Sequence, residues 1–183
     1  MTLRIAFAAA LLALHGCTHA PVVRSPDLVP VEAAGDYTHA ASGHVFPLRL
    51  GEFRRASLFR SASDPRRVTV GYAGGPPECL TAVTMFMVPG PASAVEDEYA
   101  RATAEVREAY SSAVLEREAR HPRLASRFAD YLVEDRRLHV IVEEARPGWI
   151  LKYRVMFPAK CREAPLGVGA FVTMWLAAQP PPG

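Results

Sequence analysis

Trp149, Leu151, Tyr153, Val155 and Phe157 fall on every second residue, with Lys152 and Arg154 between them. A period of two is the mark of a β-strand that buries one face. Just upstream, Leu138, Val140 and Val142 alternate in the same way, and Pro147-Gly148 separates the two runs with a turn signal. The stretch 138–157 therefore predicts an antiparallel hairpin. Such a hairpin must extend into a sheet, and other apolar surfaces must cover it.

Other strands follow from the same logic. Phe53–Ser61 is moderately apolar, and residues 66–72 place Val68, Val70 and Tyr72 on one side. Gly74-Gly75-Pro76-Pro77 is a turn. Residues 79–88 are apolar on both faces, which predicts a central, covered strand. Residues 128–133 carry a weaker strand signal. Between them lies a helix, where Val95, Tyr99, Ala102, Val106, Tyr110 and Ala113 recur at spacings of four and three. Ser93 and Glu96 have the spacing of a capping box, and Asp97 and Glu98 suit the positive end of the helix dipole. Arg117, Arg120 and His121 fall in or just beyond its last turn, and Pro122 stops it. Residues 163–178 read as a second helix with Pro165 in its first turn, apolar nearly all round and so buried. The expected fold is α+β: a mostly antiparallel sheet covered by one long central amphipathic helix and a buried C-terminal helix.

Half of the 183 residues are hydrophobic, enough for one core. The expected organisation is a leader over 1–16, a flexible tether over 17–45, a single domain over 46–178 and a disordered tail over 179–183. The tether expectation rests on Pro21, Pro26, Pro30, Gly35 and Gly43 and the lack of apolar periodicity. It places His39 and His44 in solvent, with no metal-ligand spacing. The opening Phe46-Pro47 with Leu50-Gly51-Glu52-Phe53-Arg54-Arg55, and the late run 149–154 before a terminal helix, resemble the PsbP-like superfamily of small exported α/β domains. That resemblance implies an accessory or binding protein and assigns no functional residue.

The N-terminus resembles the export signal of bacterial lipoproteins. Arg4 is the basic start, residues 5–14 are an apolar run too short to span a bilayer, and Leu14-His15-Gly16-Cys17 matches a lipobox in Leu14, Gly16 and Cys17. The resemblance implies cleavage before Cys17, a lipid on that residue and a chain held at the cell envelope, with its domain in the periplasm. Thr18, rather than Asp, after the cysteine points to the outer membrane. A plain secreted protein cut after Ala20 is the alternative. With Cys17 acylated, Cys79 and Cys161 remain. In an oxidising compartment the simplest expectation is a disulfide closing a loop of about eighty residues, with two reduced, buried thiols as the alternative.

Catalytic motifs are missing: there is no Gly-x-Ser-x-Gly, Ser-x-x-Lys, His-Glu-x-x-His or phosphate-binding glycine loop. No catalytic residue, metal ligand or cofactor is therefore expected. His139 lies on the polar side of its strand, and Glu143 and Glu144 face opposite ways. Near-zero net charge and export argue against nucleic acid. Arg54, Arg55, Arg66 and Arg67 are candidate contacts for an anionic partner, although Arg54 and Arg55 face opposite ways. The expected function is a lipid-anchored, non-catalytic domain that binds an envelope protein or small ligand. The competing expectations are an envelope hydrolase whose site the fold assembles, and a structural protein that associates through an open sheet edge or its last helix.

Overall fold

The computed structural model describes residues 27–120, 126–161 and 168–180. Cys17, the leader, His121 and Pro122 lie outside them. Eleven strands and two α-helices occur among the described residues: β1 (Leu28–Pro30), β2 (Tyr37–Thr38), β3 (Val45–Phe46), β4 (Arg49–Leu50), β5 (Phe53–Ser61), β6 (Val68–Gly74), β7 (Thr81–Pro89), α1 (Val95–Ala109), β8 (Val114–Arg120), β9 (Ser126–Val133), β10 (Arg136–Arg146), β11 (Trp149–Pro158) and α2 (Val168–Ala177). Nine strands form one sheet in the order β1-β5-β6-β7-β11-β10-β9-β8, with β4 added beside β5, and every pairing is antiparallel. β2 and β3 make a small separate ribbon.

The 138–157 hairpin forms as expected, with Leu138 opposite Met156 and Val142 opposite Lys152. The alternation then sorts side chains into two cores on opposite faces. Leu151, Tyr153, Val155 and Phe157 join Val68, Val70, Tyr72, Val83, Met85 and Met87 under α2 and the N-terminal segment. Leu138, Val140, Val142 and Ile150 pack instead with Ala129, Tyr131, Val95, Tyr99, Ala102 and Val106 of α1. Each helix covers one half of one face, so among the described residues each face keeps a half that neither helix covers. β7 is central, but only its Val83-Met85-Met87 side is fully buried; Ala82 on the other side is exposed.

Several expectations require correction. α1 ends at Ala109, and residues 114–120, including Arg117 and Arg120, form the edge strand β8. The capping box does not form. A 3-10 turn over Ala92–Ala94 leads in, and Ala94 caps the helix without a side-chain hydrogen bond. α2 is buried on one side only. Phe171 and Trp175 are in the core while Leu176 is exposed, because a single helix on a sheet can bury one stripe whatever its composition.

Residues 27–45 are not a tether but part of the fold. β1 pairs with β5, and Asp27 accepts hydrogen bonds from Ser61 and Ser63. His39 and His44 are buried rather than solvated. The expected tail contributes too. The Gln179 amide donates to the Val45 carbonyl and its oxygen accepts from the Val45 N–H, both at 2.9 Å, while the Pro180 carbonyl accepts from Arg146. Cys79 and Cys161 are disulfide-bonded, joining the 3-10 turn that enters β7 to the exit of β11.

Candidate functional site

β8, β9 and β10 expose their side opposite α1 as an open sheet face, and the register of three strand pairs assembles a charged cluster there. Arg117 lies opposite Asp130, Asp130 opposite His139, and His139 opposite Val155. One row thus crosses four strands. The neighbouring row runs Val114, Leu132, Arg137 and Phe157. The β8–β9 pairing shifts between Leu115 and Arg117, so Glu116 is the extra residue of a bulge. A bulge re-aims its side chain, and Glu116 reaches across to Arg137.

The contacts are specific. Asp130 is buried, and its Oδ2 accepts from Arg117 through Nε at 2.8 Å and a terminal nitrogen at 2.7 Å. Its Oδ1 is hydrogen-bonded to His139 Nδ1. The His139 ring stacks on Phe157, with centroids 5.2 Å apart and planes 18° from parallel. Arg117 also lies over the Phe128 ring at 4.9 Å. Glu116 accepts from Arg137 at 2.5 Å, while the Arg137 Nε is buried without a partner. These groups line a shallow, open pocket of about 420 Å³: Glu116, Arg117, Asp130, Arg137, His139 and Phe157. Val114, at 59% exposure, stands beside it.

With Nδ1 held by Asp130, the His139 Nε2 is the ring nitrogen left for a ligand. Among the described residues, no serine, threonine or cysteine lines the pocket. Both carboxylates in it are bonded to arginine, so the group set suits recognition by hydrogen bonds better than nucleophilic attack. Among the described residues no group of three or more His, Cys, Asp or Glu side chains is arranged to hold a metal ion.

The arginines expected to meet an anionic partner do not gather. Arg55 is buried and donates to the carbonyls of Phe46 at 2.5 Å, Ala33 at 2.8 Å and Gly35 at 2.5 Å. Arg66 and Arg67 are both paired with Asp64 at the far end of β5. Arg54 is exposed seven residues from that end, a separation of about 23 Å along a strand. Of the pocket residues, His139 was visible in the sequence as a polar-side residue and Arg117 was expected on a helix. Asp130, Glu116 and Arg137 were not singled out. The available signal was the Arg137-x-His139 alternation opposite Leu138 and Val140.

Two other polar clusters lie in the fold. On the α1 face Lys152 is buried, pairs with Glu105 at 3.2 Å and sits 4.6 Å from the Phe86 ring centre. Burial holds its ammonium below the usual lysine range against the opposing pull of Glu105. Arg154 also donates to Glu105. On the α2 face His44 stacks on Trp175 at 5.5 Å, and its Nδ1 has no partner. Burial, then the nearby Arg146 and His39, push its imidazole down to about 4.

Compared with known proteins, the chain matches no family model, no curated protein and no solved structure.

Proposed function

We propose that this chain is a lipid-anchored envelope protein of bacteria, attached through Cys17 with its domain in the periplasm, and that the open face of β8–β10 binds a partner protein or small ligand without catalysis. The observation that carries the binding reading is the pocket around Asp130 and His139. It is an ordered set of charged groups on a sheet face that the fold leaves uncovered. Buried charge on a surface of this kind costs stability unless paired, and its pairing there suits recognition. The export reading draws on the lipobox-like sequence and is supported by the disulfide, which persists in oxidising compartments. The PsbP-like motifs point the same way, toward an accessory domain. The Asp130–His139 pair is the observation that would favour a hydrolase, but among the described residues no serine, threonine or cysteine lines the pocket.

Two experiments test this. Cys17→Ala abolishes acyl labelling and release of the chain from the membrane fraction follows; undiminished labelling contradicts the anchor. A photo-crosslinking residue at Val114, expressed in the native envelope, gives a discrete adduct that the same probe at Arg66 does not. Equal labelling from both positions contradicts binding at this face.

A further inference from the structure

Building on the binding role of the β8–β10 face, we propose that the pocket takes an anionic oxygen group, a carboxylate or a phosphate, with Glu116 occupying the position in its absence. The hydrogen-bonding inventory carries this. Asp130 accepts from Arg117 on one oxygen and is bonded to His139 on the other, and Glu116 accepts from Arg137. Both Asp130 oxygens and one Glu116 oxygen are therefore engaged. Donor capacity remains on the two arginines. The Arg137 Nε is buried without a partner, and Arg117 has used only the edge of its guanidinium that faces Asp130. Two guanidinium groups that line one pocket match a planar carboxylate or a phosphate.

Glu116 is placed to be displaced. It sits on the bulge of an edge strand with its side chain 34% exposed, so its ion pair with Arg137 is screened by water and weak. Asp130 is different: its side chain is 10% exposed and is held from two sides. An incoming anion therefore exchanges with Glu116 and leaves the Arg117–Asp130–His139 row intact. Phe157, under the His139 ring, supplies an apolar floor for whatever carries the charged group.

The test uses the full chain carrying Cys17→Ala, titrated with inorganic phosphate, with acetate, and with vesicles of phosphatidylglycerol or of phosphatidylcholine. The His139 ring proton resonances report occupancy. Saturable shifts with phosphate or acetate assign a free anion. Shifts only with phosphatidylglycerol vesicles assign a lipid headgroup. Either supports the proposal when two variants move affinity in opposite directions: Glu116→Gln, which frees Arg137, tightens binding about tenfold, and Arg137→Gln weakens it about tenfold. Amide spectra of both variants that match the parent show that the fold is kept. No saturable shift with any probe, or equal affinity in parent and variants, overturns the proposal. In that case a Val114 crosslink that persists leaves the face as a binding surface for a ligand of other chemistry; its loss removes the binding reading as well.

Discussion

Arg55 and His44 hold the N-terminal segment from two sides. The Arg55 guanidinium donates to three backbone carbonyls, those of Ala33, Gly35 and Phe46. Arg55→Gln leaves them unsatisfied in a buried place and lowers stability by about 3 kcal/mol. Urea unfolding measures this, and an unchanged midpoint contradicts it. His44 adds a pH dependence. Its imidazole is held at about 4 in the fold, against about 6.5 in an unfolded chain. The unfolded state therefore takes up its proton first as pH falls. Stability is complete above about pH 6.5 and declines as pH falls toward 4, by up to about 3 kcal/mol. Burial lowers His39 as well, so it adds to the loss with the same sign. His44→Phe keeps the stack on Trp175 without a titrating nitrogen, and thermal melts across that window should then lose most of their slope.

At the scale of elements, the seam between α1 and the sheet rests on charge as well as on apolar packing. Lys152 lies on the face of β11 opposite the α2 core, as the alternation predicts, and is buried there against Glu105 of α1 and Phe86. Glu105→Ala leaves that ammonium buried without its hydrogen-bonded carboxylate and costs about 2 kcal/mol, and adding Lys152→Met recovers most of it. Denaturant midpoints of the single and double variants check this; an undestabilised single variant contradicts it. The hairpin β10–β11 was legible because one fully buried face enforces period two. β8 was not legible. An exposed edge strand has no core-facing set, so Val114, Leu115 and the alternating charges of 116–118 carry neither period. The helical spacing simply ran on through them. The bulge at Glu116, on which the pocket depends, has no local signature.

At the scale of the whole molecule, described segments far apart in sequence are joined to one another. Gln179 clasps Val45, Arg146 reaches Ser42 and Pro180, and the Cys79–Cys161 bridge spans a sequence separation of 82. Contacts at such separations are invisible to local pattern, which is why Pro- and Gly-bearing residues 27–45 read as a linker. The disulfide was legible from cysteine number once Cys17 was set aside. The pocket was not, because its charged residues come from three strands and only the register brings them into one row. Removing the bridge as Cys79→Ala/Cys161→Ala should lower stability by about 4–5 kcal/mol, the loop-closure entropy of so long a loop, with the refolded amide spectrum otherwise conserved.

On the proposed binding role, the β8–β10 face opposite α1 is where this domain meets its partner or ligand. Hydrogen exchange compares it directly in the native envelope and after purification. Amides of residues 114–120 and 126–139 should exchange more slowly in the envelope, while those of 66–74 are unchanged. Equal exchange over β8–β10 in both states, or slowing confined to α2, would contradict it.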